Sequence, residues 1–210
     1  MHVPDGFLPL GVTLAGYAGA AAVTALCLSR IARRPDPRAD MPRVAMLTAA
    51  FFAGSLIHIP VPPTSVHLLL SGLTGVLLGW FAFPAILVGL FFQAVMFGHG
   101  GITTLGVNAL VIGLPALAAG ALFRLRGAGG PARDAVFGFA AGGGAVLLAA
   151  GFFAAVVIAG LPAHLDGELE RRAIGVLALA MLPLAAIEGA VVASIVGVLR
   201  RVDPGLLRGV

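Results

Sequence analysis

The chain has 210 residues, of which 60% are hydrophobic and 10% charged, and its formal net charge is +4. A soluble domain carries about a quarter charged residues, and one of this length cannot bury so much apolar surface. A water-soluble fold is excluded, and the bilayer is the solvent for most of the chain. Every basic residue is arginine, and the arginines stand in short runs between apolar segments. That pattern excludes a nucleic-acid partner and marks cytoplasmic loops.

Long apolar runs predict an all-α membrane protein of seven transmembrane helices in one domain, residues 1–210. The helices are expected at Leu8 to Ile31, Arg43 to His58, Val66 to Trp80, Phe83 to Phe97, Ile102 to Phe123, Ala135 to Gly160 and Ala173 to Leu199. In the first, Gly11, Ala15 and Gly19 recur at spacing four, as on a close-packing helix face. The same helix holds Cys27, the only cysteine, so no intrachain disulfide can form. The third and fourth belong to one apolar stretch, longer than the ~20 residues of a span, and broken near Phe81 to Pro84. Two short helices joined by a tight turn are expected there. The second, third and fourth are all short, so one of them can be re-entrant.

Loop charge predicts the orientation. Arg30, Arg33, Arg34, Arg38 and Arg43 follow the first helix, Arg124, Arg126 and Arg133 follow the fifth, and Arg200, Arg201 and Arg208 follow the seventh. With seven spans these eleven share one side, and only Arg171 and Arg172 fall on the other. The arginine-rich side is cytoplasmic by the positive-inside rule. The N-terminus then faces outward and the C-terminus inward. No basic residue precedes the first helix and Asp5 is acidic, so an uncleaved helix is expected there.

This orientation gathers three distant pieces at the outer face: Met1 to Gly6, His58 to His67, and Phe97 to Gly101. They carry His2, His58, His67 and His99, and imidazoles collected at one face suggest a transition metal. At the terminus, a free Met1 amine, the His2 amide nitrogen and the His2 Nδ1 can chelate one ion in fused five- and six-membered rings. Such a planar nitrogen set suits Ni(II) or Cu(II) better than tetrahedral Zn(II). Pro4 stiffens the chain just beyond it. Against this stand plainer readings: His58 as a loop residue, His67 as a helix-end residue, His99 as part of a glycine-rich turn, and His164 as a solvated neighbour of Asp166, Glu168 and Glu170. Glu188, mid-way along the last helix, is costly in a bilayer and must be protonated or paired inside the bundle. Gln93 reads as a polar bridge between helices.

Three motifs, Met-His-Val-Pro-Asp-Gly-Phe-Leu from Met1, Pro-Thr-Ser-Val-His-Leu ending at Leu68, and Phe-Gly-His-Gly-Gly-Ile-Thr-Thr-Leu-Gly-Val-Asn ending at Asn108, together resemble the CbiM/NikM family. These are the substrate-specific membrane components of energy-coupling-factor cobalt and nickel transporters. Val3 stands where the family usually has Ile. The resemblance implies seven helices, with an N-terminal tail inserted from outside. It implies a metal held by the Met1 amine, the His2 amide and imidazole, and His67, with His99 and Asn108 ordering the site by hydrogen bonds.

The resemblance further implies a transmembrane coupling protein, a pair of ATPase subunits and often a small auxiliary membrane protein as partners. No phosphate-binding loop is present in the sequence, and there is no lysine to complete one. The expected function is therefore capture of Co(II) or Ni(II) in a bacterial inner membrane, with no resident cofactor and no catalysis by this chain. Lack of a fused auxiliary segment resembles the cobalt branch. Two other readings are a stand-alone metal channel or carrier, and an intramembrane hydrolase using Ser65 or Ser71 with a histidine.

Overall fold

The computed structural model describes residues 2–61, 64–127, 129–160 and 167–207. Among them the chain forms seven α-helices: α1 (Leu10–Ala32), α2 (Met41–Gly54), α3 (Ser71–Leu78), α4 (Ala82–Phe97), α5 (Leu105–Arg124), α6 (Pro131–Gly160) and α7 (Gly167–Val202). The expectation of an all-α fold needs one amendment. Between α2 and α3 the chain forms an antiparallel hairpin, β1 (His58–Val61) against β2 (Thr64–His67), with His58 opposite His67. β-branched Ile59, Val61, Thr64 and Val66 favour strand, and prolines between and within the two runs oppose helix.

By length and hydropathy five stretches qualify as membrane spans: Leu10–Ala32, Ser71–Phe97, Leu105–Arg124, Pro131–Gly160 and Leu179–Val202. The 14-residue α2 falls short of the ~20 that a full crossing takes. Ser71–Phe97 is not one straight helix. Gly79 has φ +55°, which a helix cannot continue through, and the chain turns there. At that turn Trp80 and Phe81 lie under the guanidinium groups of Arg30 and Arg34, 5.1 and 5.9 Å from the ring centres. At the other end of α4, Phe97 meets Phe52 near the end of α2, and Gln93 Nε2 donates to Ser55 Oγ at 2.6 Å. The stretch is thus two helices, α3 and α4, joined at a tight turn, and α3 has only eight residues.

Every residue of α3 is buried. It sits where α5 and α6 come close, and only glycine permits this. A Cβ on Gly75 would overlap the Ala116 carbonyl of α5, and one on Gly72 would collide with the Gly142 backbone of α6. The outer helix α1 is mostly exposed, and its packing face overlaps the expected one only in part: Gly11 and Ala15 are exposed, Gly19 packs on Leu110 of α5, and Thr13, Gly16 and Ala20 are buried, with Gly16 on Val107 of α5.

Arginines collect at one end of the bundle. Asp134 at the start of α6 pairs with Arg126 (3.0 Å) and with Arg200. Arg126 also donates to the Leu207 carbonyl at 2.6 Å, and Arg43 pairs with Asp40 at 3.2 Å. Arg171 lies 29 residues before Arg200 in α7, roughly 40 Å away along a helix rising 1.5 Å per residue.

Candidate metal centre

At the opposite end, residues 2–9 fold back onto the start of α5. Val3 is 1% exposed and is held at both backbone groups. Its amide donates to Asn108 Oδ1 at 2.8 Å, and its carbonyl accepts from Asn108 Nδ2 at 3.0 Å and Thr104 Oγ1 at 2.6 Å. Two residues on, the exposed Asp5 carboxylate accepts from the Ile102 and Thr103 amides (3.2 and 2.8 Å) and from the Thr103 hydroxyl (2.6 Å). These bonds hold its pKa below the usual carboxylate value, the Thr103 hydroxyl acting most strongly. An acidic group just ahead of α5 also complements the positive end of that helix.

The clamped tail delivers His2. The end of β2 delivers His67, which is 7% exposed. The third imidazole comes from the loop after α4: Gly98, at φ +62°, reverses the chain so that the amides of Gly98 and His99 return to the carbonyls of Ala94 and Gln93. Nitrogen atoms of His2, His67 and His99, one from each ring, all lie within 4.8 Å of one another. Ring centres are separated by 5.1 Å (His2–His67), 5.0 Å (His2–His99) and 5.4 Å (His67–His99). Gly100, at φ +82°, passes so close that a side chain there would press on Asn108 Nδ2 and touch His2.

Both ring nitrogens of His2 are buried without a hydrogen-bond partner among the described residues. A buried polar group left in this way costs about 1–3 kcal/mol. Burial, reinforced by the neighbouring imidazoles, holds the His2 pKa well below 6.5. A neutral, desolvated imidazole facing two others is a ligand set for a divalent transition ion rather than for a substrate carboxylate or phosphate.

The other expected residues are distributed as follows. Met1 lies outside the described residues, as does His164. His58 pairs with His67 through the strand backbone. Asn108 touches the tail backbone at Val3. His99 is as close to His2 as His67 is, so the three rings form one group. The Ser71 hydroxyl is buried without a hydrogen-bond partner among the described residues, so no base is in contact with it.

Three contributors were not expected here. Thr104 donates to the Val3 carbonyl and Asp5 accepts from amides just ahead of α5, contacts between segments about a hundred residues apart that no local pattern marks. Glu188, the costly acid of the last helix, has its partners here. Its carboxyl oxygens accept from the Leu69 and Leu70 amides at 2.5 and 2.9 Å, just beyond His67. It thereby caps α3, which has no side-chain cap of its own. Leu70 is the only non-glycine residue at positive φ (49°) among those described, a conformation costing about 1–2 kcal/mol. The Glu188 bonds offset that cost.

The sequence between residues 2 and 206 matches the family described as CbiM, cobalt uptake substrate-specific transmembrane region. The chain belongs to the CbiM family. The family is one of metal-transport membrane proteins, and a multi-pass membrane protein is what the apolar helices form. A relative from Haemophilus influenzae, named for metal transport, is 42% identical over 126 residues, 60% of this chain and 59% of that one. The cobalt transport protein CbiM of Geobacter sulfurreducens is 31% identical over 217 residues, 99% of this chain and 61% of that one. The chain thus spans about three fifths of the length of these two relatives. A crystal structure of a transition metal transporter has the same fold, with a TM-score of 0.77 over 97% of this chain and 94% of that one, at 23% identity.

Proposed function

We propose that this CbiM-family chain is the ion-capturing membrane subunit of an ATP-driven energy-coupling-factor importer for Co(II), with Ni(II) as the close alternative. The observation that carries the reading is the group of three imidazoles, His2, His67 and His99, beside a clamped N-terminal tail. The ion is cargo. It is held by the Met1 amine, the His2 amide and Nδ1, and the His67 imidazole, while His99 and Asn108 order these groups. The clustering of arginines at the far end supports an inner-membrane orientation with the tail outside. Energy comes from partner chains: a transmembrane coupling protein and a pair of ATPases, often with a small auxiliary membrane protein.

A second coordination is favoured by the close spacing of the three rings. In it, His2, His67 and His99 bind the ion by side chains alone, in the tetrahedral manner of nitrogen-rich Co(II) or Zn(II) sites. An N-terminal tag separates the two. An uncleaved residue ahead of Met1 displaces the amine and breaks the fused rings, so calorimetry shows loss of Co(II) and Ni(II) binding, whereas the same tag after Val210 leaves it intact. Full binding by the N-terminally tagged protein, lost on His99→Ala, overturns the amine chelate in favour of the three imidazoles. No binding of either ion by the untagged protein overturns the capture function itself.

A further inference from the structure

We propose that Glu188 is a positioning residue for His67, acting across the bundle through the backbone of Leu69 and Leu70. Glu188 is completely buried in α7 and stands outside the group of three histidines. Its carboxyl group is engaged by the two amides that lie two and three residues beyond His67, with a further contact of 3.1 Å from the Leu70 amide to Oε2.

Leu70 is gripped from three helices. α7 holds its amide through Glu188. α3 holds its carbonyl, which accepts from the Thr74 amide and hydroxyl at 2.9 and 2.8 Å. α2 holds its side chain, which fills the space left open by Gly54. On the other side of Leu68 and Leu69, His67 is fixed in the hairpin opposite His58. The short link between hairpin and α3 therefore has little slack, and a displacement of α7 relative to α3 is transmitted to the His67 ring. The same helix runs on to Arg200, which is paired with Asp134 at the arginine-rich end. A movement imposed at that end reaches the metal ligand through Glu188.

The inference rests on the proposed metal site only where metal is the readout, so the test has a second readout that needs no metal. Glu188→Asp keeps the acid but shortens it by one methylene. Glu188→Gln keeps the length and one accepting oxygen. Leu184→Ala, four residues earlier and equally buried, loosens α7 without touching the link. In histidine-labelled, metal-free protein, the His67 imidazole resonance, assigned with His67→Ala, is expected to move in Glu188→Asp and to stay near its wild-type position in Glu188→Gln and Leu184→Ala. Co(II) and Ni(II) affinity falls with it in Glu188→Asp, by about 10- to 100-fold as for other partners that orient metal ligands.

An unmoved His67 signal in Glu188→Asp overturns the proposal, as does an equal movement in Leu184→Ala, which would mean general loosening. If wild-type protein binds neither ion, the capture function fails, and the imidazole signal still decides the role of Glu188.

Discussion

Replacing Asn108 by alanine tests whether the tail is clamped as the geometry indicates. Asn108 is 2% exposed and meets both backbone groups of Val3. After the substitution the Val3 carbonyl keeps the Thr104 hydroxyl, but the buried Val3 amide loses its acceptor. An orphaned buried donor costs about 1–3 kcal/mol, and the lost bond to the carbonyl adds about 0.5–1.5 kcal/mol. A total near 2–4 kcal/mol lowers the docking constant of the tail by roughly 30-fold to several hundredfold, at tenfold per 1.4 kcal/mol. Metal affinity falls by the same factor only when the undocked form has become the major one. Hydrogen exchange at the Val3 amide in the metal-free protein is therefore the direct assay, and it should accelerate by that factor. Thr104→Val leaves the amide bonded and removes one bond to the carbonyl, so its effect is smaller, roughly 2- to 10-fold. Exchange in Asn108→Ala within twofold of wild type, or an effect of Thr104→Val as large as that of Asn108→Ala, would refute the clamp.

His67→Ala should abolish high-affinity Co(II) and Ni(II) binding while the protein still inserts and purifies, and calorimetry on the purified variant checks this. A cysteine at position 36 should react with an impermeant thiol reagent only from the cytoplasmic side and one at position 166 only from outside; labelling of both from one side would contradict the proposed orientation. Gly75→Ala, which drives a methyl group into the Ala116 carbonyl, should destabilise by at least the 1–3 kcal/mol or so typical of overpacked cores, whereas Gly11→Ala, with open space around it, should leave the thermal midpoint unchanged or slightly raised. The Asp5 pKa is lowered by folding, so the protein with the tail undocked binds the proton first and the Asp5 contribution is present above about pH 4. That contribution is lost as pH falls through the lowered pKa. Asp5→Asn should weaken tail docking at neutral pH and remove this acid-dependent step, as read by Val3 exchange.

The hydropathy of the sequence sufficed for the main elements because lipid-facing helices must be apolar along their length, as α5 and α6 are. It also carried the turn near Phe81, since no single helix needs so long a stretch. The hairpin at His58–Val61 and Thr64–His67 was less legible: eight residues with prolines among them give a weak alternating signal, and their pairing is decided in three dimensions. The face of α1 was legible only in part, at Gly19, for a related reason. Gly11, Ala15 and Gly19 have a regular spacing, but the partner surface at Val107 selects Gly16. For the site, the histidines were conspicuous as residue types and so could be singled out one by one. That His99 approaches His2 as closely as His67 does follows from the left-handed turn at Gly98, which a pattern of residues does not specify. Glu188 was conspicuous as a charge in an apolar helix, yet its partners are backbone amides, and those have no signature in the sequence.

The dispersal of these supports along the chain has a consequence for how the protein is made. Val3 is made before its clamp, Asn108, which comes about a hundred residues later. The seat of α3 needs Ala116 and Gly142, both synthesised after α3 itself. Glu188, which holds the link beyond His67, is more than a hundred residues further along the chain than that link. An elongating chain can thread its apolar segments into the bilayer one after another, but the link beyond His67 is held only once Glu188 has been added.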